Sequence, residues 1–285
     1  MQLLYLFISI LFLSGFYYFG QVVLISFKFN ENIKKVSNPI YQNSVVGIAI
    51  FIFIIFPIFL LEFFNQWYFI VISSIITIAG AYNLYNNYTN LKSFLFKKNF
   101  SKNIKISNYF YFFLIILYFL LSISPITSGD SVAYHLSSAK YMILNGKFPS
   151  SFYVPSNLLI GAGELLNAFA LSIHAYQFTS LINFVGIISA IGIIKKFSEN
   201  SNLNSELKQL LFLCILSCPV LIFLVATSKS QLFSISLIFI SYALLFSSLN
   251  NNYNQKSLIK NFFICAVFCI VAVQTKISFS LSFFF

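Results

Sequence analysis

Residues 129–149, GDSVAYHLSSAKYMILNGKFP, bring together side chains able to do acid–base chemistry in a chain that has few of them. Asp130 is one of only six acidic residues, and His135 is one of two histidines. Tyr134 precedes this histidine and Lys140 follows it. A carboxylate near a bilayer can act as a general base toward a hydroxyl, with its pKa adjusted by partial burial. An ammonium group there is a good partner for a phosphate ester, so these residues indicate a reaction on a phosphate-linked lipid.

Two other segments supply groups of the same kinds. Lys229 lies in the short turn ATSKSQ, and Glu164 lies in the predicted helix at 158–173. At 100° per residue, the polar residues of that helix and its flanks fall within roughly 140° of one another, whereas the other faces are apolar. This polar face comprises Asn157, Gly161, Glu164, Asn167 and His174.

A purely structural interpretation of residues 129–149 is also open. Asp130 follows Ser128 and Gly129 and precedes a helical pattern, so its side chain is expected to cap the helix by accepting backbone N–H bonds. Tyr134 and His135 are amphipathic side chains of the kind found in the headgroup layer of a membrane. This interpretation requires no catalytic role for any of them.

The composition indicates what kind of scaffold holds these residues. Of 285 residues, 59% are hydrophobic, 20% aromatic and only 8% charged, against about 25% charged residues in soluble domains. Runs of roughly 20 apolar residues are long enough to cross the hydrocarbon core of a bilayer. The sequence therefore predicts an all-α polytopic membrane bundle with about eight spans, contacting membrane lipids. The net charge of +11 comes from lysines in short loops rather than from a polar domain, which argues against nucleic acid as a partner.

The lysine-rich loops predict the orientation of the spans, because short loops rich in lysine are retained in the cytoplasm. Alternation of the first four spans then places residues 128–175 outside the cytoplasm. The alternation of sides agrees with the lysine-rich loops to the end of the chain if only one of the segments 158–173 and 176–194 crosses the membrane. Glu164 at the centre of 158–173 would cost about 2.5–3.5 kcal/mol on insertion, so we expect this helix to lie in the outer interface or to fold back against the bundle. The apolar segments are 3–27, 44–61, 67–86, 108–127, 158–173, 176–194, 209–226, 231–248 and 261–285.

Within the outer segment, a helix is predicted from Ser131 to Asn145, with a stop at Asn145–Gly146 and an extended stretch at 148–156. The cysteine pairs Cys214/Cys218 and Cys265/Cys269 are each one helical turn apart in apolar segments. They are interpreted as buried thiols, and a disulfide between the two helices remains open. The final residues, KISFSLSFFF, end within an apolar run, which predicts a fragment or a C-terminally truncated protein.

The stretch SPITSGDSVAYHLSSAKYMILNGKFP, followed by FYVPSNLLIGAGELLNAFAL, resembles the first outer loop of bacterial GT-C class glycosyltransferases. These multi-span enzymes are related to protein O-mannosyltransferases and lipid A aminoarabinose transferases. The shared features are a span ending in a small motif with Asp, a D-x-x-x-Y-H-like helix, a Gly turn, a Pro-containing stretch and a G-x-x-x-L-like helix. The segments ATSKSQLFSISLIFISYALLF and AVQTKISFSLSF are similar to downstream spans, so the resemblance covers about residues 108–280.

The resemblance implies a membrane core at 108–285, preceded at 1–107 by three additional spans. It implies that Asp130 is the catalytic base of an inverting transfer from a polyprenyl-phosphate-linked sugar to a lipid, glycan or protein acceptor. Tyr134 and His135 would line the substrate cavity, and Lys229 would lie near the donor. Lys140 and Glu164 are further candidate substrate-binding residues because of their charges and their predicted position on the same side of the membrane. The turn at Lys229 has no carboxylate, so no metal ligand is predicted there, and a divalent metal cofactor is not indicated. The expected location is a bacterial inner membrane, with the active face outside the cytoplasm.

Two other functions remain open. A transporter, flippase or polymerase-like protein of envelope polysaccharide assembly would carry no catalytic base, and an inactive fragment would have no activity at all. Transporters place ionisable residues and broken helices near the midplane of the bilayer. The candidate carboxylates, Asp130 and Glu164, lie at the outer edge instead, which favours the enzyme.

Overall fold

The computed structural model describes residues 2–27, 29, 33–34, 36–96, 106–149, 160–201, 204–250, 255–276 and 279–280. Within these ranges the protein is all-α, and no residue is in a β-strand. One π-helical turn, Ser131–Leu136, leads directly into helix α5. The α-helices are α1 Gln2–Ser26, α2 Pro39–Phe59, α3 Gln66–Phe96, α4 Ile106–Ile123, α5 Ser137–Asn145, α6 Ala162–Ser172, α7 Phe178–Asn200, α8 Ser205–Leu216, α9 Pro219–Val225, α10 Gln231–Asn250 and α11 Gln255–Thr275.

The helices confirm an integral membrane protein built as a helical bundle. Among the described residues, six helices are long and apolar enough to cross a membrane: α1, α2, α3, α7, α10 and α11. Helices α8 and α9 together make a seventh if they are counted as one span bent by 51°. The bend occurs where Pro219 begins α9, because proline has no N–H to continue the preceding helix. The predicted fourth span corresponds to a shorter apolar helix, Phe110–Ile123.

Glycines let the backbones of the first three helices approach one another closely. A Cβ atom on Gly47 of α2 would lie 2.0 Å from the Phe16 carbonyl oxygen of α1, and one on Gly80 of α3 would lie 1.9 Å from that of Leu11. Lipid tails are as apolar as leucine side chains, so helices in a membrane associate through such close packing rather than through apolar burial. Helix α1 is therefore held between α2 and α3.

Helix α6 is packed into the bundle. Every residue from Ala162 to Leu171 is buried, and eleven residues span only about 16 Å at 1.5 Å per residue, which is too short to cross the bilayer. Of the two placements left open by the sequence, the structure therefore selects the helix folded back against the bundle. Glu164 and Asn167 of its polar face are buried against protein, whereas His174, which follows the helix, is exposed. Asn157, the first residue of the predicted face, lies outside the described residues. The first residues of the predicted segment, 158–159, lie outside the described residues.

The turn that follows α5 has the predicted position. Gly146 has a positive φ of 66°, a backbone conformation that suits glycine, and it ends the helix after Asn145. A Cβ on Gly146 would lie 1.8 Å from the Phe64 carbonyl oxygen. The turn between α2 and α3 and the segment at 128–149 therefore meet at the same end of the bundle, as the alternation of spans predicts.

Candidate functional site

A cavity of about 270 Å³ lies where the π-helical turn, α6 and the ends of α9–α11 meet. We call it the Asp130 cavity. It combines two carboxylates, two ammonium groups, an imidazole and a phenol in one space. Its lining residues are Asp130, Tyr134, His135, Glu164, Lys229, Ser230, Gln231, Thr275 and Lys276.

The carboxylate of Asp130 forms an ion pair with the ammonium group of Lys229, 99 residues away in sequence. The prediction that Asp130 caps the helix is wrong, because its backbone is itself helical and its side chain makes no capping hydrogen bond. The ammonium group of Lys229 is its partner instead, in a charge-assisted hydrogen bond. The hydrogen bond from Lys229, followed by its positive charge, holds the pKa of Asp130 below its usual value, so the carboxylate is ionised at neutral pH.

The π-helical turn places Tyr134 and His135 side by side, with their ring centroids 4.4 Å apart. Such turns are rare and occur frequently at functional sites. The turn is anchored at its start by Ser131, whose Oγ accepts a hydrogen bond from the Ser228 N–H (3.3 Å). The segment that carries Asp130 is thus tied to the turn that carries Lys229.

His135 and Glu164 form a buried pair that fixes one wall of the cavity. The Nδ1–H of His135 donates to Glu164 Oε1 at 2.6 Å, and the Gly161 N–H donates to Glu164 Oε2 at 2.8 Å. Their side chains are only 8% and 6% exposed. Because the carboxylate holds Nδ1 of the imidazole, the other ring nitrogen, Nε2, is left for contacts outside the pair.

The hydroxyl of Tyr134 is buried, and it has no hydrogen-bond partner among the residues that the structure describes. Desolvation raises the pKa of this phenol well above its usual value, and the negative charges of Glu164 and Asp130 raise it further. The group therefore stays protonated and can donate a hydrogen bond. A buried hydroxyl without a partner costs free energy, and a polar ligand in the cavity would remove that cost.

The turn that carries Lys229 is held by Asn183 of α7, which the sequence analysis did not identify. The Asn183 side-chain amide donates to the carbonyl oxygens of Leu224 (3.1 Å), Thr227 (3.0 Å) and Lys229 (2.6 Å). Its Oδ1 accepts from the Leu232 N–H at 3.2 Å. The only sequence signal was an amide residue within an apolar run, LINFVG.

Lys276 is a second residue that the sequence analysis missed. It follows directly after α11 and brings a second ammonium group into the cavity. Burial lowers the pKa of this amine, and the neighbouring charge of Lys229 lowers it further. Within the described part of the chain, its ammonium group has no ion-pair partner. An ionisable residue in an apolar run is a signal of function, and this signal was present in the sequence VAVQTKISFS.

Five of the six predicted site residues meet in the Asp130 cavity: Asp130, Tyr134, His135, Glu164 and Lys229. The sixth, Lys140, is exposed on α5 and does not line it. The four cysteines are free thiols, so the disulfide that the sequence left open is not formed. No cluster of three or more His, Cys, Asp or Glu side chains that could hold a metal ion occurs among the described residues.

Comparison with known proteins identifies one family. The model described as the DUF1420 N-terminal domain matches residues 87–285. No curated protein and no solved structure matches the chain. The matched region covers more than two thirds of the chain and contains every residue that lines the Asp130 cavity. The chain therefore belongs to the DUF1420 N-terminal domain family.

Proposed function

We propose that the Asp130 cavity transfers a sugar from a polyprenyl-phosphate-linked donor to the hydroxyl group of a lipid, glycan or protein acceptor. The observation that carries the proposal is that an ionised carboxylate, a phenol, an imidazole and two ammonium groups line one cavity at the end of a membrane bundle. The resemblance of residues 108–280 to GT-C class glycosyltransferases supports the same reaction. A donor of this kind keeps its polyprenyl chain in the bilayer and presents its phosphate and sugar at the surface.

In this reaction Asp130 is the general base. Its carboxylate accepts the proton of the acceptor hydroxyl, whose oxygen attacks C1 of the sugar from the side opposite the phosphate. The bond between C1 and the phosphate oxygen breaks, its electron pair stays on that oxygen, and the configuration at C1 is inverted. The products are the glycosylated acceptor and polyprenyl phosphate, whose new negative charge Lys229 and Lys276 stabilise.

The ion pair between Asp130 and Lys229 links donor binding to the strength of the base. Without a ligand, Lys229 lowers the pKa of Asp130, which makes the carboxylate a weaker base. A donor phosphate competes for Lys229, because ammonium groups bind phosphate oxygens as readily as carboxylate oxygens. Once Lys229 contacts the phosphate, the pKa of Asp130 rises toward its ordinary value. The base is therefore strongest when the donor is bound.

The remaining lining residues position the substrate. The hydroxyl of Tyr134 has a proton to donate and no partner among the described residues, so it is suited to a phosphate or sugar oxygen. The His135–Glu164 pair is buried and held by two short hydrogen bonds, so it provides a rigid wall. Rigid supports of this kind keep a substrate in a reactive geometry. We place the cavity on the outer side of a bacterial plasma membrane, which the lysine-rich loops at the opposite end of the bundle support.

The test is sugar transfer in membranes that contain the full chain, with a panel of polyprenyl-phosphate-linked sugars as donors. Asp130→Asn keeps the shape of the side chain but removes the base, so we expect transfer to fall by about 10²–10⁴-fold. Lys140→Gln is the matched control, since Lys140 is exposed on the same segment and does not line the cavity. We expect this control to retain its activity within about twofold, as for surface substitutions away from a site.

Two outcomes would contradict the proposal. Full activity of Asp130→Asn would show that Asp130 is not the base. A wild-type protein that is folded in the membrane but transfers no sugar from any donor of the panel would refute glycosyl transfer itself.

A further inference from the structure

A second cavity, of about 370 Å³, lies between the start of α2 and the end of α7. We call it the lysine cavity. Among the described residues, three lining side chains are lysines and one is a carboxylate, which gives a formal charge of +2. The lining includes Lys34, Tyr41, Gly192, Lys195, Lys196 and Glu199.

The lysine cavity is at the opposite end of the bundle from the Asp130 cavity. Helix α2 begins at the lysine cavity with Pro39, and its last residue, Phe59, packs against Phe148 of the 128–149 segment (4.8 Å between ring centroids). At 1.5 Å per residue, the 21 residues of α2 cover about 31 Å. Along α7, Asn183 holds the turn of Lys229, whereas Lys195 lies about 18 Å further on. The two cavities therefore belong to different surfaces of the membrane.

The positive charge of the lysine cavity is largely unopposed. The carboxylate of Glu199 lies 3.9 Å from the ammonium group of Lys196, with both side chains well exposed. Lys34 and Lys195 have no carboxylate partner in the described ranges of the chain. The amino-terminal end of α2 also faces the cavity, and a helix carries a partial positive charge at that end. These features together favour an anion.

Helices α2 and α7, which form the cavity, are joined by buried polar contacts. The Gln42 side-chain amide donates to Ser37 Oγ (2.9 Å) and to the Ser189 carbonyl oxygen (3.1 Å), and Ser189 Oγ donates to Gln42 Oε1 (2.6 Å). Gly192 allows Tyr41 to pack against α7, since a Cβ there would lie 2.6 Å from Tyr41 Cδ2. The lysines therefore surround a space of defined shape between two spans.

The surroundings of the cavity suit a lipid. Ile40, between the lining residues Pro39 and Tyr41, is 63% exposed, and Phe197, next to Lys196, is 40% exposed. Exposed apolar side chains on membrane spans face the acyl chains of the bilayer. The positions next to the cations are thus ready to contact acyl chains, which free phosphate does not have.

We propose that the lysine cavity binds the phosphodiester headgroup of an anionic phospholipid in the leaflet opposite the Asp130 cavity. Lys34 and Lys195 contact the phosphate, the hydroxyl of Tyr41 donates to one of its oxygens, and Ile40 and Phe197 contact the acyl chains. Basic pockets between membrane helices are known to hold anionic headgroups. The site is independent of glycosyl transfer, because it lies at the other end of the bundle and uses none of the same residues.

The experiment measures lipid binding to the purified full chain in detergent by native mass spectrometry. The probes are phosphatidylglycerol and phosphatidylcholine with identical acyl chains. We expect the wild-type protein to bind phosphatidylglycerol more tightly. Lys34→Gln/Lys195→Gln should weaken this binding about 25-fold, at about fivefold for each lysine. Lys208→Gln/Lys260→Gln removes the same charge from lysines that do not line the cavity, and we expect less than a threefold change.

Two further measurements test whether misfolding explains the lost binding and whether free phosphate can replace the lipid. Glu199→Gln removes the one carboxylate that lines the cavity among the described residues and should tighten phosphatidylglycerol binding, a gain that misfolding cannot produce. Inorganic phosphate at millimolar concentration should displace little lipid. Equal binding of the two lipids, equal losses in the two double variants, or complete displacement by phosphate would each overturn the proposal.

Discussion

Replacing Glu164 by leucine is expected to destabilise the protein by about 3–5 kcal/mol, because the change leaves two buried donors without an acceptor. In the native protein Glu164 accepts from His135 Nδ1–H at 2.6 Å and from the Gly161 N–H at 2.8 Å. The residue is 5% exposed, so little water reaches the two donors. An unsatisfied buried donor costs about 1–3 kcal/mol, and the two donors together set the expected loss.

The double variant Glu164→Leu/His135→Leu tests whether the loss of stability comes from the broken His135–Glu164 pair or only from altered packing. Replacing both partners of a buried polar pair by apolar groups is often close to neutral, and only the Gly161 N–H then stays without an acceptor. We therefore expect the double variant to be more stable than Glu164→Leu alone. Glu206→Leu is the control for loss of an exposed carboxylate, with an expected change within about 0.5 kcal/mol.

The assay is the free energy of unfolding in detergent micelles, followed by far-ultraviolet circular dichroism during titration with denaturing detergent. The wild type, the single variants Glu164→Leu and His135→Leu, and the double variant give a thermodynamic cycle whose coupling term is the interaction between His135 and Glu164. We expect this coupling to be at least about 1.5 kcal/mol, as for hydrogen bonds to charged groups. Additive losses in the double variant would refute the reasoning that the two side chains stabilise each other.

Three further predictions follow from the structure. Lys229 lowers the pKa of Asp130, so the carboxylate stays ionised to lower pH. In Lys229→Gln the pKa of Asp130 should rise, and the acidic limb of the pH profile of kcat/KM for sugar transfer should move to higher pH. An unchanged acidic limb would contradict the pairing of Asp130 with Lys229. Gly47→Ala should lower the midpoint of thermal unfolding, because the added Cβ would lie 2.0 Å from the Phe16 carbonyl oxygen. Gly129→Ala is the control: its added Cβ would meet no atom within 4 Å, so the midpoint should stay unchanged. In a protein without its native cysteines, single cysteines at the exposed positions Lys140 and Lys195 should react with an impermeant maleimide from opposite sides of the membrane; labelling from one side would contradict the alternation of spans.

The bundle itself could be predicted from the sequence, because the length of an apolar run sets whether a helix can cross a bilayer. The predicted segments 3–27 and 231–248 correspond to Gln2–Ser26 and Gln231–Asn250. The end of α5 was also predictable, since Gly146 adopts a backbone conformation that few other residues tolerate. These features depend on local composition and on single residue types.

The surroundings of α6 could not be predicted in this way. Helical periodicity shows that Glu164 and Asn167 share a face, but it does not show whether that face meets water or protein. In the structure Glu164 pairs with His135, and the Asn167 side-chain amide donates to the Ser228 carbonyl oxygen at 3.2 Å. A polar face is stable in either setting, provided that its groups have partners.

The residue types of the candidate site were visible in the sequence, because carboxylates and histidines are rare in this chain and ionisable residues stand out near the ends of its apolar spans. Their partners were decided only by the tertiary structure. Whether Asp130 caps a helix or pairs with Lys229 depends on where residue 229 lies in space, 99 residues along the chain. Lys276 enters the cavity because α11 ends at Thr275 beside α6 and the turn of Lys229. Pairing between charges depends on distances in three dimensions, and helix packing alone sets those distances.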